Sequence, residues 1–201
     1  MGERSPLLHE DWHYVEHLDQ PDMTVSDWSR LSVQRKIFYP EFQARAVLNL
    51  FESGKDEPTF GYQVNHYRHA LQVATMMVRD QRSEEDIVVG LLHDIGFHAC
   101  PERHGAFAAE LLGSYVSEAN VWMLRHHQVI GETKAADAPD HNEPMDFSRW
   151  ENHEHFAWTL EFCQRYDERS MDPDFDAKDI DYFVPLIKEV FAYPGTQPDF
   201  S

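Results

Sequence analysis

The chain has 201 residues, 42% of them hydrophobic, and a formal charge of −19 from 17 basic and 36 acidic side chains. That length suits one domain with one substantial core, and a field of that sign repels phosphate backbones and anionic lipid, so nucleic acid and membranes are poor partners. No apolar run approaches a membrane span and the first residues lack the apolar centre of a signal peptide, so a soluble cytoplasmic protein acting on a small-molecule substrate is expected.

The pattern reads as all-α. Residues 1–40 are polar and punctuated by Pro6, Pro21 and Pro40, which marks an N-terminal arm with one or two short helices. Ser26 is placed to cap a segment over 27–38. Pro40 then starts a helix over 41–53, with Phe42, Ala46, Val47, Leu50 and Phe51 on its apolar face. After a loop over 54–61, a helix over 63–80 carries Ala70, Val73, Ala74 and Met77 on one face. Ser83 caps the next helix and Gly96 ends it. Helices over 103–113 and 117–128 follow. The polar stretch 129–148, with Gly131, Pro139 and Pro144, reads as a long loop or lid. A helix over 151–169 and a last one over 179–191 complete a main domain of 41–192, and 193–201 is a tail.

Thirteen histidines stand out, since histidine is the commonest nitrogen ligand for metals. Two cysteines, Cys100 and Cys163, make no disulfide framework and read as packing residues. The central feature is the pair His93-Asp94 at the end of an apolar helix. Adjacent residues project about 100° apart on a helix, so they reach one ion together only where the helix ends or distorts. A carboxylate has two oxygens and can bridge two ions while the imidazole binds one. His69 lies 24 residues before His93, His104 lies 10 after Asp94, and His126 and His127 follow 22 and 23 residues after His104. Asp167 comes after the expected lid. Four helices can thus direct N/O ligands to one centre, as in helical bundles that hold metal pairs.

The order H…HD…H…H…D resembles that of the HD-domain superfamily. His69-Ala70-Leu71-Gln72-Val73-Ala74 is similar to the H-A-L-Q-x-A run of the HD-domain oxygenases, and His93-Asp94-Ile95-Gly96 to the motif that names the superfamily. His104 with Ala108-Ala109 and Leu112 resembles the next ligand helix. Arg165-Tyr166-Asp167, followed by Asp172-Pro173 and the Tyr182…Pro185-Leu186 helix, resembles the C-terminal segment. The resemblance covers about 45–192 and is strongest to the mixed-valent diiron oxygenases, which include myo-inositol oxygenase and the phosphonate-cleaving enzymes. It implies an HD-domain helical bundle with an N-terminal helical arm. It also implies two iron ions, Fe(II)/Fe(III), with dioxygen as co-substrate. One ion would take His69, His93, Asp94 and Asp167. The other would share Asp94 and add His104 and His126, with His127 as the alternative. The implied reaction oxidises a C–H next to a hydroxyl, with Asp94 central to catalysis, and ends in C–C or C–P cleavage or hydroxylation.

The substrate shell departs from those relatives. Phe97 stands where the phosphonate-cleaving enzymes carry a histidine, with His98 one residue late, and Ile130 stands where they carry a lysine. Thr59 and Tyr62 replace a Tyr and a Glu. Gln72, Phe97, His98 and Ile130 are therefore the candidate substrate-facing residues, and neither known substrate carries over. Arg103, Arg125, Lys134, Arg149 and Arg165 are the cations available to an anionic group. His9, His13 and His17 recur every four residues and read as one exposed helical face, and His153 and His155 as surface or pocket rim. The rival reading is a metal-dependent phosphohydrolase acting on a small phosphate ester or nucleotide, with activated water as nucleophile.

Overall fold

The computed structural model describes residues 12–132 and 147–192. Among them the chain is all-helical, with seven α-helices and no strand: α1 (Val25–Ser53), α2 (His66–Arg79), α3 (Glu84–Leu92), α4 (His104–Leu112), α5 (Glu118–Glu132), α6 (Phe156–Arg165) and α7 (Ile180–Ala192). No helix among the described residues is long and apolar enough to cross a membrane.

The bundle is built round α3. Val88, Val89, Leu91 and Leu92 have no exposure, because α2, α5 and α7 all pack on this short helix. The α4, α5 and α6 helices pack in sequence on one side, and α1 lies on α7. Cys163 is buried in the core and Cys100 is half-buried.

The helix boundaries differ from the sequence reading in instructive ways. Thr24, not Ser26, caps α1: it accepts from the Asp27 amide while the Asp27 carboxylate accepts from the Thr24 amide. Asp27 also accepts from the Glu16 amide at 3.2 Å and from His17 Nδ1 at 2.9 Å, which fastens the preceding segment to the helix start. Those bonds hold the Asp27 carboxyl well below its usual range, those from Thr24 first. Trp12 stacks on Phe38 at 4.6 Å, so the segment folds back along α1.

Pro40 does not start a helix but lies inside α1, so the boundary expected at 40/41 falls within one continuous helix. A proline there forgoes the bond to the Lys36 carbonyl and its ring crowds that oxygen, yet the helix runs on through it. His13 and His17 are not helical, so the expected stacked face does not form among the described residues; His9 lies outside them. The α3 helix stops at Leu92, ahead of Gly96. The α5 helix continues to Glu132, into the stretch read as a lid, and 133–146 lie outside the described residues, as do 193–201. The single helix expected over 151–169 is shorter: α6 ends at Arg165, and Asp167–Arg169 forms a separate 3-10 turn.

Candidate metal centre

Each candidate ligand sits at a place where a helix starts, stops or turns its buried face inward. His93 caps the C-terminus of α3 and Asp94 opens the turn after it, so the pair escapes the divergence of adjacent helical residues. His69 lies on the buried face of α2, and His104 is the first residue of α4. Asp167 opens the 3-10 turn after α6. The residue before it anchors a network that reaches the surface: the Tyr166 hydroxyl donates to Asp80 Oδ2 at 3.0 Å and accepts from Arg82 Nε at 2.8 Å, while Arg165 Nε donates to the same Asp80 oxygen. Tyr166 is fully buried, so this hydroxyl ties the end of α6 to the turn between α2 and α3.

Of the two adjacent histidines, the structure brings His127, and not His126, to Asp94 and His104. His127 is 2% exposed on α5 and its Nε2 lies 3.2 Å from His104 Nε2 and 3.4 Å from Asp94 Oδ1. The half-buried His126 donates Nδ1–H to the Trp122 carbonyl at 2.8 Å and stacks on the Trp122 ring at 4.1 Å, with His153 on the same indole at 4.4 Å. Gly105 makes the close approach of α4 to α5 possible: a Cβ there would stand 2.4 Å from the Leu124 carbonyl oxygen and 3.0 Å from His127 Cε1.

The six groups form two sets joined by one carboxylate. In the first, His69 Nε2 stands 3.2 Å from His93 Nε2, 3.2 Å from Asp167 Oδ1 and 3.6 Å from Asp94 Oδ2. His93 Nε2 is 3.5 Å from Asp167 Oδ1 and 3.4 Å from Asp94 Oδ2. In the second, Asp94 Oδ1 stands 3.1 Å from His104 Nε2 and 3.4 Å from His127 Nε2. Donors bound at about 2.1 Å to one ion lie about 3.0 Å apart at right angles and about 3.4 Å apart at tetrahedral angles. The observed separations are those of donors round a common centre.

Ring orientation supports the same chemistry. Nδ1 of His93, His104 and His127 each donates to a main-chain carbonyl at 2.8 Å, of Gly90, Pro101 and Leu124. Ser170 Oγ donates to the Asp167 carbonyl at 2.7 Å, so its lone pairs accept the Nδ1–H of His69 at 2.8 Å. With Nδ1 so engaged, each of the four rings points its Nε2 at the centre, and in the neutral form that nitrogen carries the lone pair a metal would take. Two pairs of such lone pairs face each other at 3.2 Å, a contact that a cation or a proton must relieve.

The electrostatics agree. Burial opposes charge on His93, but the Asp94 and Asp167 carboxylates and the Gly90 carbonyl overcome it and push the imidazole up to about 9. Burial likewise opposes charge on both carboxylates, yet the surrounding histidines, His93 chief among them for Asp94 and His69 for Asp167, hold them well below their usual range. His104 is pulled below its ordinary value, mainly by burial.

The candidate substrate-facing residues fare unevenly. Gln72 is buried with both ends of its amide engaged: Nε2 donates to the Asp172 carbonyl at 2.7 Å and Oε1 accepts from the Asp172 amide at 3.2 Å. It holds the loop after Asp167 and is not turned to a ligand. Ile130 is 1% exposed in the hydrophobic core. Phe97 lies beside the centre, its ring 5.6 Å from that of His104. His98 is exposed, with Nδ1 4.0 Å from Glu57. Of the cations, Arg165 pairs with Asp80, Arg125 with Glu110, and Arg149 lies over Trp150; Lys134 is outside the described residues. His66 was not singled out by the sequence pattern. It is 9% exposed, stacks on Phe97 at 3.6 Å, and is pushed down to about 4 by burial, so its ring is neutral.

No protein-family model matches the chain, and no curated protein matches it.

Proposed function

We propose that the chain is an oxygenase of the HD-domain type that holds two iron ions between its two ligand sets. The observation that carries the dinuclear reading is the division of Asp94, whose Oδ2 faces His69 and His93 while Oδ1 faces His104 and His127. One ion then draws on His69, His93, Asp94 and Asp167, and the other on Asp94, His104 and His127. The second set offers three protein donors, and a metal held by them would be open to a further ligand. Histidine and carboxylate donors alone also suit zinc, manganese or nickel; the order of the ligands along the chain, which resembles that of the diiron oxygenases, supports iron.

A bound iron pair would supply electrons to dioxygen and Lewis acidity to a substrate hydroxyl. The chain's own residues do the remainder. The Gly90, Pro101 and Leu124 carbonyls and Ser170 hold the four rings in register. Phe162, fully buried with its ring 5.3 Å from that of His93 and 6.4 Å from that of His127, backs the centre with an apolar wall that keeps water from it. Oxidation of a C–H next to a hydroxyl, ending in C–C or C–P cleavage or hydroxylation, is the reaction this supports.

The test is anaerobic loading with ferrous iron followed by limited oxygen, with metal analysis, low-temperature EPR and an oxygen electrode. A mixed-valent signal from two irons per chain, with oxygen uptake, is the expected outcome. Two zinc or manganese ions, no oxygen uptake and release of phosphate from esters would establish the hydrolase instead.

A further inference from the structure

Beside Asp94 lies a narrow recess of about 20 Å³, bordered by His66, His98, Ile95 and residues of α1 and α2. A space of that size admits one water or one hydroxyl, and is far too small for a phosphoryl group. His66 brings to this region a buried Nδ1 with no hydrogen-bond partner in the structure. A buried ring nitrogen without a partner is costly, and a small polar group entering the recess relieves that cost.

Two residues that border the recess, His66 and His98, also belong to an aromatic cluster with Phe97 and Phe60. Phe97 stacks on His66 and reaches the His104 ring, and Phe60 lies 5.8 Å from Phe97 and 6.2 Å from His66. Phe60 is 60% exposed and adopts a left-handed backbone, with φ of 51°, followed by Gly61 at φ 99°. A glycine accepts such a conformation freely and a phenylalanine does not. The loop thus holds a large apolar side chain in solvent, at a backbone cost, beside the His66–Phe97 stack. Strained residues of this kind gather at ligand sites. No lysine or arginine borders the recess or joins the ring cluster among the described residues.

We infer that Phe97, Phe60 and His66 form a subsite for an uncharged alcohol with a flat apolar body, whose hydroxyl enters the recess while its body lies on the two phenyl rings. This rests on the metal-centre reading, since the same ligand is placed next to Asp94 and His104. Among the outcomes proposed above, such a subsite favours C–C cleavage or hydroxylation of an uncharged alcohol, since no cation borders the recess among the described residues.

The inference is tested on the zinc-loaded protein by calorimetry with three probes: 1-phenylethane-1,2-diol, glycerol and glycerol 1-phosphate. The aromatic diol is expected to bind at least about tenfold tighter than either of the others, the scale of one ring contact plus apolar burial. Phe97→Leu keeps the apolar volume but removes the flat face, and should bring the three within about threefold of one another with zinc content unchanged. Phe97→Tyr keeps the face and should keep the preference. Tighter binding of glycerol 1-phosphate, an undiminished preference in Phe97→Leu, or its loss in Phe97→Tyr overturns the subsite while leaving the metal centre intact. Uptake of fewer than two zinc ions per wild-type chain overturns the metal centre and the subsite with it.

Discussion

His104 Nε2 and His127 Nε2 face each other at 3.2 Å, and each ring has already committed its Nδ1–H to a main-chain carbonyl. Neutral imidazoles in that arrangement oppose two lone pairs, so the contact is stable only round a cation or a shared proton. His127→Ala should therefore remove one of two bound ions, whereas His126→Ala, which alters only the stack on Trp122, should leave both. Metal analysis of the two variants after dialysis decides the assignment; equal stoichiometry in both would contradict it.

Asp94→Ala should lose both ions, because its two oxygens serve different sets. Asp167→Ala should weaken only the first set, to which it contributes Oδ1. Inductively coupled plasma analysis gives the stoichiometry directly. Retention of one fully occupied ion in Asp94→Ala would show that this carboxylate is not a bridge.

The sequence made most of the centre legible because its ligands are spaced as successive helices demand. His69, the His93-Asp94 pair, His104 and Asp167 come together as their order implies. Within His126-His127, spacing alone does not separate the two, whereas the helix face does. Asn120, Met123, Leu124, His127 and Ile130 recur at intervals of three and four and are all buried, which places His127 on the inward stripe. That same stripe carries Ile130 into the core, away from the role expected of it. Ser170 and His66 were not legible: Ser170 reaches His69 across 101 residues, and His66 is marked by its stacking on Phe97, not by spacing. Pro40 marks no boundary: α1 runs through it in spite of the lost bond and the crowding of the Lys36 carbonyl that a proline imposes.

Gly105→Ala should destabilise the fold and weaken the second set together. The added Cβ meets the Leu124 carbonyl oxygen at 2.4 Å, a backbone atom that cannot turn aside, and His127 Cε1 at 3.0 Å. Pushing α4 from α5 costs about 1–3 kcal/mol, as overpacking generally does. Urea unfolding of the metal-free variant isolates the packing cost, and metal titration reads the displacement of His127. Unchanged stability would mean that the two helices part without strain.

Tyr166→Phe removes a buried hydroxyl shared by Arg82 and Asp80 without changing the ring. The two partners lose a bond each, at a cost of about 1–3 kcal/mol. Because Asp167 follows directly, the first ligand set should also bind its ion more weakly, while the second set is spared. A variant that is less stable yet titrates both ions normally would separate the network from the placement of Asp167.

The final expectation concerns pH, and it differs in sign between the metal-free and metal-loaded protein. In the metal-free chain His93 is pushed up to about 9 from an ordinary value of 6.5, so its contribution to stability is complete below pH 6.5 and is lost as pH rises through 9. Asp94 and Asp167 are held below the ordinary 3.8, so theirs is present above that value and is lost on acidification. Both contributions are whole only between the two ordinary values, and the metal-free protein should be most stable in that mildly acidic window. Metal binding demands neutral His93, so it releases a proton, and affinity should climb from pH 6.5 towards 9. The stability optimum of the loaded protein should accordingly move to higher pH. Melting temperatures of chelator-treated and metal-loaded samples, followed from pH 4 to 9, check both signs. Coincident curves would mean that no ion occupies the space between these six side chains.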